Sequence, residues 1–101
     1  MTLPKICRKA FETNGEEIQR TVCIEELSEL TKALCKQHRG IDNFSDIAEE
    51  AADALLTIYE WIDHLGIKDA VSEYLRYKVD RLAHDLGVKF DGDVSNYIRM
   101  R

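Results

Sequence analysis

The chain has 101 residues, 45% hydrophobic and 33% charged, with a formal net charge of −5. A chain of this size forms one small domain burying only about 60–70% of its unfolded surface, so a partner subunit would help it. The composition excludes a disordered polar chain and a membrane-spanning one, and the acidic balance argues against a nucleic-acid backbone binder, which presents a basic face. An acidic protein that handles a phosphate substrate needs metal ions to offset the repulsion. Cys7, Cys23 and Cys35 are odd in number and form no CxxC pair, which predicts reduced thiols in a cytoplasm. The N-terminal MTLPKICRKAF has no apolar stretch of signal-peptide length, and no later segment approaches the roughly 20 apolar residues of a membrane span, so a soluble cytoplasmic protein is expected.

The first predicted helix runs from about Pro4, where a first turn tolerates proline, to Thr13. Asn14-Gly15 then interrupts the pattern, and Asn14 followed by Glu17 reads as a capping box for a second helix over Glu16 to His38. At about 100° per residue, Cys23, Leu27, Leu30 and Leu34 form its core stripe. Beside that stripe Glu26 and Glu29 share a row with Val22 and Ala33, so the two carboxylates are flanked by apolar side chains.

After the Gly40 loop, Asn43, Ser45 and Asp46 offer caps for a third helix over Ser45 to Leu65. Ile47, Ala51, Ala54, Ile58 and Leu65 make its core stripe, with Asp46, Glu50, Asp53 and Thr57 in the adjacent row. Its far side carries Ala48, Ala52, Leu55, Leu56 and Tyr59, a two-faced apolar pattern that points to a subunit interface. A fourth helix is expected over Lys68 to Leu86, with Val71, Leu75, Val79, Leu82 and Leu86 inward and Tyr74, Lys78, Arg81 and Asp85 beside them. No alternating run predicts a strand, and residues 88–101 form a tail without a predicted structure.

Two i, i+3 carboxylate pairs on successive antiparallel helices can converge on one point. Four carboxylates gathered there repel unless a cation joins them, and an all-oxygen ligand set suits Mg²⁺ or Mn²⁺. A di-iron bundle would require Glu-x-x-His on two helices, which His38, His64 and His84 do not supply. The alternative is solvated surface charge balanced by Lys32 and Lys36. Lys78 and Arg81 are placed to hold phosphate oxygens, or equally to form an ordinary exposed face with Asp80 and Asp85.

Glu25-Glu26-x-x-Glu29 followed by Glu50-x-x-Asp53 resembles the EExxE…ExxD signature of the MazG-like all-α nucleoside triphosphate pyrophosphohydrolases, related to the dimeric dUTPases. The resemblance extends from about Asn14 to Leu86. It implies an antiparallel helical bundle completed as a homodimer or homotetramer, with residues 1–87 as the domain. It also implies Mg²⁺-dependent hydrolysis of a (deoxy)nucleoside triphosphate to monophosphate and pyrophosphate, in nucleotide-pool house-cleaning.

By that resemblance Glu26, Glu29, Glu50 and Asp53 are the metal ligands and Glu25 or Glu49 orients the attacking water. Lys78 and Arg81 resemble the basic residues that follow the second motif, although the KN…RYP-like ending of longer members is absent. Trp61, with Phe11, Tyr59 and Tyr74, is the candidate platform for the base, against the commoner role of an aromatic as core. The competing functions are a non-catalytic helical oligomerisation or regulatory module that binds nucleotide or divalent metal, and a metal-dependent hydrolase of another phosphate.

Overall fold

Thr2 opens the first helix: its Oγ1 accepts the backbone N–H of Lys5 at 3.4 Å, and Pro4 sits in the first turn where its missing N–H has no consequence. The computed structural model describes residues 1–97, and among them the regular structure is entirely helical. Three α-helices, α1 (Leu3–His38), α2 (Phe44–Leu65) and α3 (Lys68–Asp85), are followed by a 3₁₀ turn at Ser95–Tyr97.

The expected break at Asn14-Gly15 is a kink inside α1. Gly15 has φ 82° and ψ 161°, a backbone region that essentially only glycine occupies, and it divides α1 into arms over 3–14 and 16–38. Asn14 does not use its capping-box geometry; its Nδ2 donates to Gln19 Oε1 at 2.9 Å. Gly66, in the left-handed conformation, ends α2, and its N–H and that of Ile67 reach back to the carbonyls of Asp63 and Ile62. No helix among the described residues is long and apolar enough to cross a membrane.

The long arm of α1 lies antiparallel to α2. Asn43 meets Ala33 near the connecting loop, Gln19 meets Glu60 toward the other end, and the short arm folds across the C-terminal part of α2. Cys7, Phe11, Gln19, Ala33, Ala54, Thr57 and Ile62 are buried in the seam.

The face that α1 turns to α2 runs through Gln19, Val22, Glu26 and Ala33; of the stripe expected as its core, Cys23 and Leu30 are half-buried. Leu27 and Leu34 remain 41% and 48% exposed. Small Ala33 and Ala54 suit a close approach of the two helices, whereas Leu27 and Leu34 find no second layer among the described residues. Of the expected stripe of α3, Val71, Leu75 and Val79 are half-buried, while Leu82 and Leu86 are 58% and 67% exposed, because α3 meets α2 only sparsely.

The tail, unassigned from sequence, partly covers α3: Val94 is buried, and Phe90, Val94 and Tyr97 line an apolar groove with Leu75 and Val79. Tyr59 of α2 holds it by donating to the Tyr97 carbonyl at 2.8 Å. The end of the tail, residues 98–101, lies outside the described residues.

This arrangement leaves the chain open. Its accessible surface is 7591 Å², against about 5,800 Å² expected for a compact monomer of 11.6 kDa. Its radius of gyration is 15.9 Å, where a compact domain of this length has about 13 Å. The surplus surface includes Ile24, Leu27, Leu34, Leu55 and Leu56, side chains that water does not favour.

Candidate metal centre

Helix pitch and antiparallel register together bring the carboxylates into one place. Gln19 opposite Glu60 fixes the phase of the helices, and two turns further along α1 Glu26 stands opposite Asp53. Glu29 follows one turn later on α1 and Glu50 one turn earlier on α2, so each i, i+3 pair turns toward the other helix.

One oxygen each of Glu26, Glu50 and Asp53 lies within 4.8 Å of the others. Glu29 borders an adjoining cavity of about 100 Å³ together with Glu50, Asp46, Asn43, Ala33, Lys32 and Lys36.

The electrostatics of this cluster are those of crowded like charge. Glu26 has its pKa raised above the ordinary 4.5, first by partial loss of solvent and then by the Asp53 and Glu50 carboxylates, with Glu25 adding to the effect. Glu50 is raised in the same direction, again through desolvation first and then through Asp53, Glu29, Glu49 and Asp46. Among the described residues no ion pair joins a lysine or arginine to Glu26, Glu29, Glu50 or Asp53. Converging carboxylate oxygens are the all-oxygen donor type that hard cations such as Mg²⁺ or Mn²⁺ take.

No family model, curated protein or solved structure matches the chain. Its site rests on geometry.

The remaining sequence-based candidates are distributed unevenly around this centre. Glu25 and Glu49 are exposed next to Glu26 and Glu50 and act on them through space. Lys78 and Arg81 are exposed on α3, which the single chain does not fold over the carboxylates.

Trp61 belongs to a different cluster, at the other end of the α1–α2 seam. Its ring meets Phe11 edge-on at 4.9 Å, the Arg20 guanidinium lies 5.3 Å from its centroid, and its Nε1 donates to the Gln19 carbonyl at 3.4 Å. Phe11 in turn stacks on His64 at 3.9 Å, and His64 Nε2 lies 3.1 Å from Glu16 Oε1. These contacts tie both arms of α1 to the end of α2, which gives the Trp61 ring a structural occupation.

The sequence offers Asn43 only as a cap, and the structure gives it a different bond. It stands at the N-cap of α2, as its residue type suggests, yet makes no capping hydrogen bond. Its Nδ2 donates instead to the Ala33 carbonyl at 3.0 Å. No local pattern announces such a contact, since it depends on the helix that precedes the loop.

Proposed function

We propose that this chain is the subunit of a Mg²⁺-dependent nucleoside triphosphate pyrophosphohydrolase that converts surplus or non-standard (deoxy)nucleoside triphosphates to the monophosphate and pyrophosphate. The observation that carries the reading is the convergence of Glu26, Glu50 and Asp53 from two helices, with Glu29 beside them. Helices gain nothing in stability from holding like charges together, so their retention beside the seam speaks for a bound cation.

Glu26, Glu29, Glu50 and Asp53 would hold the ion. An ion held there would supply charge compensation for the triphosphate and a lowered pKa for the attacking water. Glu25 or Glu49, both exposed at the margin, would orient that water and accept its proton. Lys78 and Arg81 would neutralise phosphate oxygens, supplied by α3 of a neighbouring subunit in a homodimer or homotetramer. The exposed leucines of α1 and α2 and the surplus of accessible surface support such assembly.

The decisive experiment measures pyrophosphate release from a panel of standard and modified nucleoside triphosphates, with Mg²⁺ and with chelator. Metal-dependent release of equal amounts of monophosphate and pyrophosphate is expected, and Glu50→Gln should reduce it at least about 100-fold. Absence of release from every nucleotide, in a protein that still assembles, would favour the oligomerisation module, which the exposed apolar faces also suit.

A further inference from the structure

We propose that the tail over residues 88–97 is a strap that fastens α3 to α2, with the Tyr59 hydroxyl as its catch, and that it can be released while the α1–α2 pair stays folded. α3 needs a fastening. It meets α2 only sparsely, and the chain passes between the two helices through Gly66 and Ile67 alone, with Gly66 left-handed at φ 64°. A helix draws most of its stability from the packing of its apolar face, and α2 covers little of the 18 residues of α3.

The tail supplies the missing cover. Gly87, at φ 72°, turns the chain at the end of α3, and the N–H groups of Gly87 and Val88 reach back to the carbonyls of His84 and Ala83. From there the tail runs back along the helix: the Phe90 ring lies 5.9 Å from the Arg76 guanidinium, and Val94 is buried where it borders a groove with Leu75 and Val79. Asp93 then accepts the N–H and the hydroxyl of Ser95 at 3.0 and 2.7 Å, which sets the 3₁₀ turn whose Tyr97 carbonyl receives the Tyr59 hydroxyl at 2.8 Å. The strap begins on α3 and ends on α2, bridging two helices that touch little directly.

Two features make it releasable. The bond from Tyr59 to Tyr97 is exposed, so water can replace either partner at little cost. A groove of about 350 Å³ runs between the strap and α3, so fewer contacts resist lifting than in a close-packed core. Because α3 carries Lys78 and Arg81, the strap decides whether these two cations stand in fixed places, a consequence for the site that rests on the nucleotide reading above.

The test is amide hydrogen exchange of the full-length protein, resolved by helix, in the wild type and in Tyr59→Phe and Val94→Asp. Tyr59→Phe removes the catch alone and should speed exchange in α3 about fivefold. Val94→Asp puts a charge where the strap is buried and should speed it at least about tenfold. Exchange in α1 and α2 should keep its wild-type rate in both variants. Unchanged exchange in α3, or a rise shared by all three helices, would overturn the strap. In steady-state pyrophosphate release Val94→Asp should raise KM several-fold and hold kcat, and an unchanged KM beside faster exchange in α3 would overturn the link from strap to site. A wild type that releases no pyrophosphate would overturn the nucleotide reading, while the exchange rates still decide the strap.

Discussion

Glu26 and Glu50 make a prediction whose sign follows from their environment. Because folding raises their pKa, the native state holds their protons more firmly than the unfolded chain does. Stability from this source is present at low pH and is lost as pH rises from about the ordinary 4.5 through the raised folded values. In chelator at pH 7, Glu26→Gln or Glu50→Gln should therefore raise Tm, and the gain should vanish when melting is repeated below pH 4.5. Mg²⁺ should raise the Tm of the wild type and lose that effect in both variants.

Trp61 is the contrasting case. Its edge contact with Phe11, its hydrogen bond to the Gln19 carbonyl and the Arg20 guanidinium beside it predict that Trp61→Ala destabilises the fold by about 3 kcal/mol. Urea titration reads that loss directly. A variant of unchanged stability with altered selectivity among bases would return Trp61 to the role of a stacking platform.

At the scale of elements, the kink in α1 is held by backbone conformation. A Cβ at Gly15 would meet nothing within 4 Å, so Gly15→Ala introduces no clash. It should nevertheless cost about 1–3 kcal/mol, because φ 82° with ψ 161° is disallowed to alanine. The measurement is urea unfolding, and an unchanged midpoint would show that the arms bend without Gly15.

The helices themselves were readable from periodicity and punctuation, to within a residue or two at most ends, and Glu26 comes beside Glu50 and Asp53, while Glu29 stands outside that group. The pairing of faces was not readable. Leu27, Leu34 and Leu82 carry the strongest apolar signal, yet Gln19, Glu26 and Ala33 take the seam. Hydrophobic periodicity finds the faces that avoid water; it does not say which of them is covered by the same chain and which by another. The misread use of Asn14 and Asn43 has a related cause, since Gln19 and Ala33, their partners, become neighbours only through tertiary geometry.

At the scale of the molecule, the accessible surface of 7591 Å² exceeds that of a compact monomer of the same mass by roughly 1,700 Å². An obligate interface buries about this much per subunit. Sedimentation should find a dimer or tetramer at micromolar concentration. Leu34→Glu or Leu55→Glu, each at an exposed position of the α1–α2 layer, should shift it toward monomer while the helical circular-dichroism signal persists. A monomeric wild type would remove the assembly from the proposed function and leave Lys78 and Arg81 without a route to the carboxylates.

Gln19–Glu60 and Glu26–Asp53 lie two turns apart on one antiparallel pair, which makes the chain sensitive to length in one place and indifferent to it in another. A single residue inserted between Gln19 and Glu26 rotates everything after it by about 100° and carries Glu26 away from Asp53, with every original side chain retained. The same insertion in the loop at 39–43 leaves both pairings in phase. Insertional scanning should accordingly spare the loop and silence the long arm of α1, a pattern of tolerance set by helical phase and invisible to any substitution.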